Sequence, residues 1–125
     1  MKQILLVFSV VALVGCGESS PTVEIANPIV EEAIRGELKK PTGELTETDL
    51  EKVTYLKIWV NKLTSVKGME KLTQLEELHL DWNQLNDVKG LENLTQLTCL
   101  GLGSNQLTDV KDLEKLTQLK ELRLD

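Results

Sequence analysis

Few side chains in this chain of 125 residues could carry chemistry. It contains two cysteines, Cys16 and Cys99, and a single histidine, His79. No nucleophile stands at a motif spacing from a base, and no cluster of metal-ligating residues is visible. Gly101 and Gly103 are not followed by the rest of a phosphate-binding motif. The sequence therefore predicts that the protein is not an enzyme and that it has no metal or cofactor site.

Cys16 has the most specific setting of these residues. It follows one positive charge and an apolar run over residues 4–14, which is too short for a membrane-spanning helix and is typical of a secretory signal peptide over residues 1–15. The run ends LVGC at residues 13–16, and this ending resembles the lipobox of bacterial lipoproteins. The resemblance implies cleavage before Cys16 and acylation of its thiol, for example with palmitate. The alternative is an ordinary secretory signal in which Cys16 is incidental.

The residues after Cys16 bear on location. Gly17, rather than Asp, follows the cysteine, and by the same resemblance this allows an outer-membrane destination in a cell with two membranes. Residues 16–26 are polar and contain Gly and Pro, which predicts a lipidated cysteine followed by a flexible tether. We therefore expect a domain outside the cytoplasm, in the cell envelope, anchored to a bacterial membrane by lipid.

An internal repeat of 22 residues defines the elements that would position a binding face. Residues 75–96 read LEELHLDWNQLNDVKGLENLTQ, residues 97–118 read LTCLGLGSNQLTDVKDLEKLTQ, and residues 53–74 fit the same frame. A partial copy begins at Leu119. Alternating leucines predict a short strand with one face buried, and leucines at three-residue spacing favour a 3₁₀ or helical segment opposite it. One copy cannot bury its own apolar face, so the copies are expected to stack.

The repeat pattern resembles the leucine-rich repeats of bacterial internalins. The resemblance implies an α/β fold, a short solenoid over residues 53–125 with three full repeats, one partial repeat and parallel strands on the concave face. Residues 27–52 are expected to form a helical N-terminal cap. Within them, Asn27 and Pro28 predict the start of a helix, and Thr46 with Asp49 three residues later predicts a capping box.

One asparagine recurs in each full repeat where the strand must turn away from the sheet. These residues are Asn61, Asn83 and Asn105. A buried amide at this point can satisfy backbone groups that the turn leaves unpaired. We therefore expect a structural asparagine ladder from repeat to repeat.

The outward strand positions vary between copies, whereas the remainder of each copy is nearly constant. A constant scaffold with a varied concave surface is what a specific binding site requires. Aromatic side chains concentrate there, as they do in protein interfaces, although the two tryptophans could instead simply cover strand edges. The positions expected to contact a partner are Tyr55, Lys57, Trp59, Glu77, His79, Asp81, Trp82 and Arg123.

Two further residues of this surface have alternative interpretations. Cys99 could link two molecules in an oxidising compartment, but a tolerated small residue is the simpler interpretation because reactivity needs an activating neighbour. His79 is expected to be a solvated strand residue, with pH sensing as the alternative.

The charge pattern argues against one class of partner. The net charge is −6, and lysines alternate with acidic residues, so the electrostatic footprint of a nucleic-acid-binding protein is absent. We expect a surface lipoprotein whose concave face binds a protein partner, in adhesion or recognition. One alternative is a structural envelope lipoprotein that self-associates through its uncapped last repeat. Another is a truncated repeat-gene fragment with no independent function.

Overall fold

The computed structural model describes residues 20–60 and 62–125. The signal peptide, Cys16 and Asn61 lie outside this part of the chain, so the predictions made for them are not tested by it. Along the described residues, short strands and helices precede three repeats, which we number repeat 1 (residues 53–74), repeat 2 (75–96) and repeat 3 (97–118).

The segment before the repeats contains two helices and a small antiparallel pair of strands. The side chain of Asn27 accepts a hydrogen bond from the backbone N–H of Ile29 at 2.9 Å, and a proline occupies the first turn, which confirms the predicted helix start. Thr46 and Asp49 form the predicted capping box, in which each side chain accepts a hydrogen bond from the other's backbone N–H. The elements are β1 (Thr22–Val23), α1 (Pro28–Leu38), β2 (Leu45–Thr46) and α2 (Glu47–Glu51).

The repeats form one parallel sheet of four strands in chain order. Its register equals the repeat length, because Tyr55 lies beside Glu77, Glu77 beside Cys99 and Cys99 beside Glu121. The 22-residue period of the sequence therefore places equivalent residues in columns that run across the sheet. The strands are β3 (Tyr55–Lys57), β4 (Glu77–His79), β5 (Cys99–Gly101) and β6 (Glu121–Arg123).

A 3₁₀ segment follows each of the first three strands, as the three-residue leucine spacing predicts. The first two begin after Gly68 and Gly90, whose φ angles of 100° and 108° favour glycine. In repeat 3, Asp112 occupies the position that Gly68 and Gly90 have in the other repeats. The 3₁₀ segment of repeat 3 follows Val110 and begins at Lys111, one residue before Asp112. The segments cover Met69–Lys71, Leu91–Asn93 and Lys111–Lys115.

The core lies between the sheet and the 3₁₀ segments. Leu78 and Leu100, the central residues of their strands, are fully buried, and Val30 and Ile34 of α1 join the same apolar cluster. The end of the sheet differs, since Leu122 in β6 is 41% exposed and Leu124, just after that strand, is 47% exposed. Among the described residues, none of the helices combines the length and the apolar character needed to cross a membrane.

Candidate binding face of the parallel sheet

The side chains that alternate with the buried leucines lie together on one side of the sheet, which we call the strand face. We include the residues that immediately follow each strand as far as the turn, because backbone hydrogen bonds between neighbouring repeats continue there, as from Leu80 N to Gly101 O and from Trp82 N to Gly103 O. The predicted contact residues fall on or beside this face. The strand face comprises Tyr55, Lys57, Trp59, Val60, Glu77, His79, Asp81, Trp82, Cys99, Gly101, Gly103, Ser104, Glu121, Arg123 and Asp125.

Two aromatic contacts link β3 to its surroundings on the strand face. The rings of Tyr55 and His79 have centroids 5.6 Å apart and are tilted by 50°, and both residues are half-buried. The Lys57 ammonium lies 3.7 Å from the centroid of the Trp59 ring, within the range of a cation–π interaction. His79 therefore packs against a neighbouring aromatic ring rather than standing alone in solvent.

The two tryptophans are the most exposed aromatic side chains among the described residues. Trp59 is 51% exposed and Trp82 is 62% exposed. The backbone of Trp82 has a φ of 61°, in the left-handed region, and Ser104 at the equivalent place in repeat 3 has a φ of 55°. A large side chain is disfavoured in this region, at a cost on the order of 1 kcal/mol. Since a serine occupies the same turn in the next repeat, the fold itself does not require a tryptophan there.

Asp81 differs from the expectation of an outward side chain available to a partner. It is only 6% exposed, because its carboxylate lies against repeat 3, where Oδ1 accepts a hydrogen bond from Gly103 N at 2.9 Å. Its second oxygen, Oδ2, is buried and has no hydrogen-bond partner among the described residues.

Two glycines that the sequence analysis did not select make room for this carboxylate. A Cβ atom at Gly101 would overlap Asp81 Oδ2, and one at Gly103 would lie 3.2 Å from Asp81 Oδ1 and 2.8 Å from the carbonyl oxygen of Asp125. Neither glycine has a positive φ, so space rather than backbone conformation accounts for them. The signal in the sequence was a pair of glycines at outward strand positions, one of them 22 residues after the aspartate.

Asn83 and Asn105 bridge successive repeats through their amides. Asn83 Oδ1 accepts from Leu63 N at 3.1 Å, and its Nδ2 donates to Ile58 O at 2.7 Å. Asn105 repeats the arrangement one step along, accepting from Leu85 N at 3.0 Å and donating to Leu80 O at 3.0 Å. Each amide thus satisfies backbone groups of the preceding repeat.

Cys99 occupies an acidic part of the strand face. Burial, a hydrogen bond from its Sγ to Glu121 Oε1 at 3.5 Å and the charges of Glu121 and Glu77 together raise the pKa of the thiol, and Arg123 offsets this only in part. Arg123 is itself paired with Glu121 at 3.3 Å. The thiol is therefore less ionised near neutral pH than an ordinary cysteine. Among the described residues, no group of three or more His, Cys, Asp or Glu side chains is arranged to hold a metal ion.

Comparisons with known proteins identify relatives among solved structures. No protein-family model matches the chain, and no curated protein sequence gives a significant match. The internalin InlF of Listeria monocytogenes is 40% identical with a TM-score of 0.74, over 78% of this chain and 29% of that one. Internalin C2 of Listeria monocytogenes is 28% identical with a TM-score of 0.69, over 89% of this chain and 61% of that one.

A third similar structure is the functional domain of InlJ from Listeria monocytogenes, described as including a cysteine ladder. It is 27% identical with a TM-score of 0.74, over 86% of this chain and 25% of that one. This chain therefore spans between 25% and 61% of the length of these three structures.

Proposed function

We infer that this chain, an internalin-like leucine-rich-repeat protein with an α/β fold, uses its strand face to bind a protein partner in adhesion or recognition. One observation carries the proposal: two tryptophans of that face are exposed, although the other large apolar side chains of repeats 1 and 2, apart from Val60, are buried. Exposed aromatics that the fold does not need are favoured as anchors in protein interfaces.

The proposal includes the arrangement of the whole chain. Residues 1–15 would be removed as a signal peptide, Cys16 would carry the acyl chains and residues 16–26 would hold the domain away from the membrane. Residues 27–52 would cap the apolar end of the repeats, which residues 53–125 form as a short solenoid. The buried positions of Val30 and Ile34 in the repeat core support the cap, and the LVGC ending supports the lipid anchor in the cell envelope.

The experiment compares what the full chain captures with what a variant of the two tryptophans captures. Envelope and extracellular extracts are passed over the immobilised parent chain, over Trp59→Ala/Trp82→Ala and over Gln74→Ala/Gln96→Ala. The glutamine pair is exposed and lies away from the strand face, so it is a matched control for two truncations. Truncating one central aromatic anchor costs about 2 kcal/mol or more, which is roughly thirtyfold in affinity.

The proposal predicts a partner that the parent and the glutamine control retain and the tryptophan variant loses. Circular dichroism and an unfolding curve on each chain separate loss of binding from loss of folding. Equal capture by all three chains, or capture of nothing, would contradict binding through this face.

Self-association through the last strand is a second candidate function. Leu122 and Leu124 are exposed two residues apart at the edge of the sheet, and neighbouring exposed apolar side chains favour it, since contiguous apolar surface marks interaction sites. Sedimentation of the full chain and of Leu122→Glu tests it. A concentration-dependent dimer that the substitution abolishes supports self-association, and a monomer at all concentrations refutes it.

A further inference from the structure

The segment before α1 is attached to α2 from its first described residue. Ser20 Oγ accepts a hydrogen bond from Thr48 N at 3.0 Å, and the carbonyl oxygen of Pro21 accepts one from Glu47 N at 2.9 Å. Both donors lie in the first turn of α2, where a helix leaves its N–H groups without an intrahelical partner. The next residues form β1, which pairs with β2. The segment therefore belongs to the folded domain as far back as Ser20.

The same segment packs against repeat 1 on the side opposite the strand face. Ile25 is 5% exposed and belongs to the apolar core, and its Cγ2 lies 3.5 Å from where a Cβ of Gly68 would be. The carbonyl oxygen of Glu24 accepts a hydrogen bond from Lys71 Nζ at 3.3 Å. Gly68 precedes the first 3₁₀ segment and Lys71 ends it. The segment thus joins the repeats on their 3₁₀ side and leaves the strand face uncovered.

These contacts limit how far an anchor at Cys16 could hold the domain from a membrane. Residues 17–19, which we call the stalk, are all that separates Cys16 from Ser20. A fully extended chain from Cys16 to Ser20 spans at most about 14 Å. A spacer running freely as far as residue 26 would span up to about 35 Å by the same measure. The attachment of residues 20–25 therefore removes more than half of the available reach.

We propose that the domain lies directly at the lipid surface, with residues 27–52 at its membrane end and β6 at its far end. The inference deepens the proposed function and rests on its lipid anchor at Cys16. In the sheet, β3 packs against α1 and β6 lies three strand positions further on, which is roughly 14 Å at the usual strand spacing. A partner of the strand face must accordingly approach the membrane itself.

Charge does not draw this end of the domain to lipid, so the acyl chains have to hold it there. Three glutamates and one lysine line the cleft beside α2, namely Glu24, Glu47, Glu51 and Lys71. Anionic headgroups attract basic clusters, and this surface has the opposite balance. We therefore expect Cys16→Ser not to bind vesicles of any headgroup charge.

The test measures energy transfer from either end of the lipidated chain to the membrane. In a Cys99→Ser background, a donor is attached at Glu51→Cys, near the membrane end, or at Lys120→Cys, beside β6; both positions are exposed. The chains are isolated from bacterial membranes and placed in phosphatidylcholine vesicles with a rhodamine-labelled headgroup lipid. Transfer from residue 51 should exceed that from residue 120 by about twofold or more, because roughly three strand spacings separate the two heights.

An insertion tests the length of the stalk. About ten Gly and Ser residues between Ser19 and Ser20 add roughly 16–19 Å of root-mean-square length and should lower the transfer from residue 51 by at least about half. The same insert placed after Asp125 is the matched control and should leave the transfer unchanged.

Amide exchange, followed by NMR on the full chain, tests the attachment of Ser20 without any lipid. Ser20→Ala removes the acceptor of Thr48 N and should speed exchange of that amide about fivefold or more, as the loss of one hydrogen bond implies. Ser104→Ala truncates an exposed serine of repeat 3 and should leave the Thr48 amide unchanged.

Three results would overturn the inference: no more transfer from residue 51 than from residue 120, no effect of the insertion before Ser20, or unchanged exchange of Thr48 in Ser20→Ala. A parent chain that stays in solution as Cys16→Ser does would refute the lipid anchor, and the inference with it. A parent that binds vesicles without a gradient of transfer refutes the short stalk alone. None of these measurements needs a captured partner, so protein binding by the strand face succeeds or fails separately.

Discussion

Replacing Asn83 by alanine tests how far the repeats depend on their asparagines. The side chain is 4% exposed, so water cannot easily take its place. Its Oδ1 accepts from Leu63 N at 3.1 Å, and its Nδ2 donates to Ile58 O at 2.7 Å and Leu80 O at 3.0 Å. The substitution removes these bonds and leaves backbone groups of two repeats to find other partners.

The magnitude follows from which backbone groups lose their partner. Leu80 O keeps a bond from Asn105 at 3.0 Å, whereas Leu63 N and Ile58 O lose the bonds that Asn83 supplied. Each buried group left unsatisfied costs about 1–3 kcal/mol, so we expect a loss of about 2–4 kcal/mol in the free energy of unfolding. Asn105→Ala should cost less, because Asn105 is half-buried and water can replace part of its amide.

The assay is urea unfolding of the full chain followed by circular dichroism, with Asn86→Ala as control. Asn86 is an exposed asparagine of the same repeat, and its truncation should change the free energy of unfolding by no more than about 0.5 kcal/mol. An Asn83→Ala variant as stable as this control would refute the structural role of the ladder. A larger loss in Asn105→Ala than in Asn83→Ala would refute the argument from burial.

Three further predictions concern charges of the described residues. Asp81→Asn should leave the free energy of unfolding, measured with urea, unchanged or raise it by up to about 1 kcal/mol. The substitution removes a buried charge but keeps an acceptor for Gly103 N, and a clear destabilisation would contradict this. The hydrogen bond from Lys40 lowers the pKa of Asp49 below its ordinary value of 3.8, so its stabilisation is present above that value and is lost as the pH falls through the lowered pKa. Unfolding curves from pH 6 to pH 2 should show this loss in the parent and less of it in Asp49→Asn; identical pH profiles would refute the assignment. Because a hydrogen bond to Glu121 helps to raise the pKa of Cys99, Glu121→Gln should speed alkylation of Cys99 at pH 8, as followed by peptide mass spectrometry, and a slower rate would count against it.

The sequence predicted the repeat architecture because the repeat length determines the register. A 22-residue period with leucines at alternate positions leaves one way to stack the copies with every leucine inward, and the structure has this pairing from Tyr55 to Glu77 and onward. The starts of α1 and α2 were also predictable, since Asn27 and Thr46 act through hydrogen bonds within three residues of themselves.

The environment of Asp81 was not predictable from alternation, which assigns a side chain to a face but not to a neighbour on that face. Whether Asp81 extends into solvent or lies against the next repeat depends on the residues one repeat later. Gly101 and Gly103 decide this, because a Cβ at either position would meet the carboxylate. The lipid anchor at Cys16 and the amide of Asn61 remain predictions, since both residues lie outside the described part of the chain.

Three unfavourable choices meet at one place on the strand face. A tryptophan adopts a left-handed backbone at residue 82, a carboxylate oxygen of Asp81 is buried without a partner, and glycines replace side chains at residues 101 and 103. Each is locally costly, and Ser104 shows that the same turn accepts a small polar residue. Natural sequences break local rules mainly where function demands it.

The glycines and the buried carboxylate are one arrangement, because Asp81 occupies space that side chains at residues 101 and 103 would need. The left-handed backbone belongs to the turn, since Ser104 shares it. What remains specific to residue 82 is an exposed tryptophan where a serine suffices, and this is the feature that the proposed binding role would explain.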